Sequence, residues 1–171
     1  MELTGTRTIA APRELVWQAL LDPDVLKACV PGCTEMTGTA DDGFEATVVQ
    51  KVGPVKATFK GAVTLSNRVP PESLTLSGEG KGGAAGFAKG GARVQLAEEG
   101  EATVLSYEVE ARVGGKLAQL GSRIIDGFAR KMADQFFERF QQAVEGPGEG
   151  TETDVAEEAG KKGWLKRLVK G

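Results

Sequence analysis

Between Val55 and Val69 apolar and polar side chains alternate with a period of two. Val55, Ala57, Phe59, Gly61, Val63 and Leu65 stand against Lys56, Thr58, Lys60, Thr64, Ser66 and Arg68. A helix would scatter that pattern around its circumference, so the stretch predicts a long strand in an antiparallel sheet with one wet and one covered face. The covering element is expected near the end of the chain. From Lys116 to about Glu145, Leu117, Leu120, Ile124, Ile125, Phe128, Met132, Phe136, Phe140 and Val144 recur at spacings of three and four. Arg123, Arg130, Lys131, Asp134, Glu138, Arg139 and Gln142 fill the positions between. Read as one helix, the segment is about 45 Å long, enough to cross a domain of this size. Its first half is thin, with Ala118, Gly121, Ser122, Gly127 and Ala129. Each glycine costs roughly 0.5–1 kcal/mol relative to Ala inside a helix. Such small residues permit tight packing or leave room for a ligand.

The remaining elements follow from local punctuation. Glu2 to Ala10 reads as an opening strand, and Pro12 starts a short helix with Leu15, Val16, Ala19 and Leu20 on one face. Asp22-Pro23 stops it and caps a second short helix through Leu26 to Cys29. After the Pro31-Gly32 turn, Thr34–Thr39 and Phe44–Val52 flank Asp41-Asp42-Gly43, a hairpin signal. Gly53-Pro54 and Pro70-Pro71 make further turns, and strands are expected from Leu74, over Ala92–Ala97 and over Ala102–Val113. Gly78, Gly80 and Gly83 form a literal G-x-G-x-x-G, but the residues beyond return to strand instead of opening a helix, so no dinucleotide site is expected. Lys81 is not followed by Ser or Thr, which removes the P-loop. The glycine-rich stretch reads as a hairpin or bulged strand pair.

Composition removes several chemistries. The 171-residue chain contains no histidine and two cysteines, Cys29 and Cys33, so it cannot assemble a usual structural zinc set or a Ser-His or Cys-His nucleophile pair. The C-x3-C spacing is not that of a thioredoxin-like redox motif, and small buried side chains are the expectation. A net charge of −3 gives no general basic footprint, which argues against nucleic acid as a partner. The N-terminus lacks the build of a signal peptide, and no apolar run approaches the ~20 residues of a membrane span. A cytoplasmic protein able to touch a membrane without crossing it is expected.

Three segments are expected: a domain over 1–145, a flexible acidic linker over 146–160, and a basic amphipathic tail over 161–171. In the tail, Trp164, Leu165, Leu168 and Val169 form one narrow helical stripe, with Lys161, Lys162, Lys166, Arg167 and Lys170 around it. That pattern suits an anionic membrane surface or a partner's groove.

The order of elements, with a curved antiparallel sheet of about seven strands around a long C-terminal helix and two short helices after the first strand, is the α+β helix-grip arrangement of the START and Bet v1-like superfamily. More closely, residues 1–145 resemble the family of the carbon monoxide dehydrogenase G subunit. The likeness rests on Ala11-Pro12 with Val16-Trp17, Asp22-Pro23 with Leu26, Pro31-Gly32-Cys33, and Val52-Gly53-Pro54-Val55. It continues through Phe59-Lys60-Gly61, Val113-Gly114-Gly115, Leu120-Gly121-Ser122-Arg123 and Phe136-Phe137. The resemblance implies a non-catalytic accessory protein of a molybdenum hydroxylase of the carbon monoxide dehydrogenase type, peripheral on the inner face of the cell membrane. A soluble hydroxylase must pass electrons to a quinone buried in lipid. A domain with an apolar cavity and a membrane-seeking tail could carry that quinone or dock the enzyme beside it, with no covalent cofactor. Candidate pocket residues are Trp17, Phe44, Phe59, Phe87, Tyr107, Leu120, Gly121, Ile124 and Phe128. Two alternatives stay open: a recruitment adaptor with a packed core and no ligand, and a cyclase- or hydrolase-like enzyme, the latter disfavoured by the lack of histidine and of a paired carboxylate site.

Overall fold

Turn residues fold the middle of the chain back on itself five times in succession. In the computed structural model, which describes residues 1–146, the strands are β1 (Glu2–Ile9), β2 (Cys33–Thr39), β3 (Gly43–Val52), β4 (Val55–Val69), β5 (Ser73–Lys81), β6 (Phe87–Glu99) and β7 (Ala102–Gly114). Each strand from β2 to β6 pairs antiparallel with the next, and β1 closes against β7, giving the order β1-β7-β6-β5-β4-β3-β2. The glycine-rich stretch carries β5 out to Lys81, makes one 3-10 turn over Gly83–Ala85 and returns as β6. It is a hairpin, as its return to strand periodicity required.

Helices α1 (Arg13–Leu20) and α2 (Pro23–Cys29) follow β1. Asp22 caps α2, its carboxylate accepting from the Asp24 amide at 2.9 Å. The C-terminal helix departs from the single thirty-residue helix expected. It is split into α3 (Lys116–Gln119) and α4 (Ser122–Glu145). The break is at Gly121, whose φ of +91° lies outside the helical region and in territory that glycine alone enters cheaply. The apolar spacing of Leu117, Leu120 and Ile124 runs on across the break, so the sequence pattern conceals it. The continuous part, α4, is therefore about 36 Å long, not 45 Å.

The two halves of α4 meet the sheet differently. The C-terminal half is held tightly. Phe140 and Val144 are buried with Ile9, Val16, Trp17, Val25, Leu105 and Tyr107 in the main core. The Tyr107 and Phe137 rings stack at 4.9 Å, and Phe136 meets Phe137 edge-on at 5.0 Å. Glu145 accepts from the Ala10 amide at 2.9 Å, and Gln141 donates to the Thr8 carbonyl at 3.0 Å, pinning the end of α4 to the end of β1. Arg7 pairs with Asp134 while its guanidinium lies 5.4 Å from the Phe137 ring centre. Thr103, the one buried polar residue among those described, donates its hydroxyl to the Ala11 carbonyl at 2.8 Å.

The N-terminal half of α4 crosses the concave face towards the β3–β4 turn, where Ile124 packs beside Gly53. There the inward row of β4, including Phe59, Gly61 and Val63, is only half-buried. One face of the strand is covered, as alternation required, but not filled. Among the described residues no helix is long and apolar enough to cross a membrane. The expected linker, from residue 147 on, and the basic segment at 161–171 lie outside the described residues.

Candidate functional site

The gap between the first half of α4 and the concave face is a cavity of about 480 Å3. Its walls come from every layer of the fold. Ile125, Phe128, Ala129, Met132, Ala133 and Phe136 face it from α4, Val48, Gln50, Val52 and Phe59 from β3 and β4, and Val109, Ala111 and Val113 from β7. Leu117 of α3 and the Val30-Pro31 turn close further sides. The space exists because the positions that point into it are small. Gly80, Ala88, Ala111, Ala129 and Ala133 all line it, whereas packed interiors are normally filled to crystal-like density. A Cβ built on Gly80 would meet only Phe59, at 3.9 Å. A second cavity of about 170 Å3 lies further along α4, bounded by Tyr107, Phe137, Leu76 and Leu105. Val109, Ala133 and Phe136 belong to both walls, so the two spaces adjoin.

Chemically the large cavity is almost bare. Among the described residues Gln50 is the only polar side chain in its wall, and its amide donates to the Pro31 carbonyl. Among the described residues no titratable side chain faces the space. Such walls favour an apolar occupant. Elsewhere, burial pushes the Cys29 thiol up to about 12, despite the opposing influence of Arg139, so it carries no thiolate at neutral pH. The Cys33 thiol donates to the Glu35 carbonyl at 3.2 Å. Among the described residues no three His, Cys, Asp or Glu side chains converge as a metal site would need.

The structure brings some of the candidate residues together and separates others. Phe59 and Phe128 face the large cavity. Tyr107 bounds the small one, its ring stacked on Phe137. Leu120 and Ile124 stand at the rim beside Gly53, with Gly121 between them at the helix break and nothing near its Cβ position. Trp17 lies in the dense core under α1, and Phe44 is buried in the wall of neither cavity. Phe87 is 45% exposed, its ring lying over Gly114.

Val48, Gln50, Val52 and Met132 also line the wall, although none of them is among the candidate pocket residues. Strand phase contained the signal for the first three, since Val48 pairs directly with Phe59 and the others follow at intervals of two. Met132 continues the stripe of Phe128 and Phe136 at i, i+4, i+8.

Known proteins share this architecture. Residues 5–145 match the family described as the G subunit of carbon monoxide dehydrogenase (CoxG). Among solved structures, a conserved protein from Geobacillus kaustophilus is similar at 28% identity with a TM-score of 0.79, over 84% of this chain and 95% of that one. A Chromobacterium violaceum protein shares the fold at 16% identity and a TM-score of 0.65, over 85% of this chain and 99% of its own. So does a Thermus thermophilus protein at 15% and 0.64, over 84% and 97%. No match is found among curated proteins. The family match runs from β1 through the end of α4 and so takes in both walls of the cavity: the chain belongs to the CoxG family of carbon monoxide dehydrogenase.

Proposed function

We propose that this protein is a non-catalytic lipid carrier that holds an isoprenoid quinone between α4 and the sheet and serves a membrane-linked oxidoreductase. Family membership suggests an accessory protein for carbon monoxide dehydrogenase. The cavity adds what such an accessory would do. A space of about 480 Å3 falls within the roughly 300–1,000 Å3 of small-molecule sites, and its wall is apolar apart from one amide. An isoprenoid chain suits that wall, since each methylene-sized group buried gains about 0.8 kcal/mol. One N–H of Gln50 is engaged by Pro31, and the amide group has a second N–H that a quinone carbonyl would accept. The lack of titratable side chains among the described residues of the wall supports carriage over catalysis.

The partner in this reading is a molybdenum hydroxylase of the carbon monoxide dehydrogenase type, whose electrons must reach quinone in the bilayer. Membrane attachment is assigned to residues 161–171. Five cations near an anionic surface would contribute up to about 1 kcal/mol each, which suits reversible attachment. The test is to purify the full chain without detergent from respiring cells, extract it with organic solvent and identify the extract by mass spectrometry. A quinone approaching one per chain is expected. Lipid-free protein that also fails to bind added short-chain ubiquinone would overturn the carrier reading and leave a packed adaptor.

A further inference from the structure

The small cavity differs from the large one in how its walls are held. Among the described residues none from Ala118 to Phe136 is buried, so the part of α4 over the large cavity is a cover that can give. The small cavity lies where α4 becomes fixed. From there on Asp134, Gln141 and Glu145 pair with Arg7, Thr8 and Ala10, and Phe137 is stacked on Tyr107 at 4.9 Å. Leu74, Val94, Leu105, Tyr107 and Phe137 in its wall are all buried. Phe136, at the boundary with the large cavity, is braced edge-on by the Phe137 ring at 5.0 Å and stacked on Phe140 at 5.8 Å. An occupant that grows into this space meets walls that do not yield, and each further carbon must fit or be refused.

The room in this rigid chamber traces to a single row of the sheet. Register puts Leu76, Ala92 and Val109 directly opposite one another on β5, β6 and β7, and all three face the small cavity. Ala92 is the short member of the row. A methylene takes up about the 30 Å3 that a water molecule occupies in the liquid, so 170 Å3 holds about five or six carbons, the size of one isoprene unit. We propose that the small cavity receives the end of the ligand's hydrocarbon chain, and that Ala92 and Leu76 set the chain length the protein holds. The proposal rests on the lipid-carrier reading and deepens it by giving the two chambers different tasks. The large one, with Gln50 in its wall and a yielding cover, takes the polar end and the first carbons of the chain. The small one, bounded by aliphatic and aromatic side chains that are held in place, measures the rest. Carbons beyond its capacity find no wall and add no affinity.

The experiment titrates the full chain, by calorimetry, with ubiquinone analogues whose unbranched alkyl chains are lengthened one methylene at a time. Affinity should rise about fourfold for each methylene buried and then level off. Ala92→Leu adds three carbons to the wall, so levelling should come about three methylenes earlier. Chains at or beyond the native capacity should then bind roughly sixtyfold more weakly, while the shortest, which end in the large cavity, bind as before. Leu76→Ala removes three carbons and should move the levelling point about as far the other way. One variant fills the chamber and the other empties it, so a loss of stability in either leaves the other to decide. Ala129→Leu, in the wall of the large cavity alone, should weaken every chain length alike. A levelling point unmoved in both variants, on protein that binds the series, would overturn the proposal. So would an Ala92→Leu variant that weakens short and long chains equally, since a general disturbance of the fold would do the same. Native protein that binds no member of the series would instead remove the carrier reading itself, and the chain-length proposal with it.

Discussion

Replacing Ala129 by Leu should fill space, where the same exchange in a packed core would create strain. Ala129 faces the 480 Å3 cavity from α4. The added side chain contributes three methylene-sized groups, worth up to about 2.4 kcal/mol if fully buried. Ordering a leucine removes roughly 0.5–1 kcal/mol of that, and the change in helix propensity is a few tenths at most. A net gain between zero and about 2 kcal/mol is expected, together with at least roughly tenfold weaker quinone binding, since the ligand and the new side chain compete for the same wall. Ala19 supplies the contrast, because it is fully buried in the core under α1. Ala19→Leu should cost about 1–3 kcal/mol by overpacking. Urea unfolding followed by circular dichroism measures both. An Ala129→Leu midpoint lowered as far as that of Ala19→Leu would mean that the space is filled in solution, and the carrier reading would fall with it.

Phe140→Ala, at a fully buried position, should destabilise by about 3–5 kcal/mol, while Phe128→Ala, which already borders empty space, should cost clearly less in the same urea titration. Thr103→Val deprives the buried Ala11 carbonyl of its donor and should cost about 1–3 kcal/mol, read as a lowered melting temperature. At neutral pH iodoacetamide should alkylate Cys33 and spare Cys29, whose thiol is held up at about 12 by burial. Equal labelling on peptide mapping of native protein would contradict that burial.

Strands and turns were legible because their signals are local. Period-two alternation from Val55 to Val69 and the turn residues around Gly43 and Gly53 fixed β3 and β4 to within a residue or two. The α3–α4 break was not legible. A glycine inside a helix costs only about 1 kcal/mol, and the apolar stripe continues past Gly121 as though the helix did. The break also sets the phase that turns Ile125 into the cavity and leaves its neighbour Ile124 at the rim. The aromatic candidates divide: Phe59 and Phe128 face the cavity and Tyr107 bounds the smaller one. Trp17 is core and Phe87 lies over Gly114. A cavity is defined by absent side chains, here Gly80, Ala88, Ala111 and Ala129 spread over four elements, and no sequence pattern gathers them.

The central claim, that an apolar lipid occupies the space between α4 and the sheet, is tested most directly by locating the ligand. Full-length protein loaded with a photoreactive isoprenoid quinone, irradiated and digested, should carry adducts on peptides containing Phe59, Phe128 and Met132. Peptides of the dense core around Trp17 and Val25 should remain unmodified. Adducts confined to the outer face of the sheet, or none on α4 despite stoichiometric loading, would contradict the account.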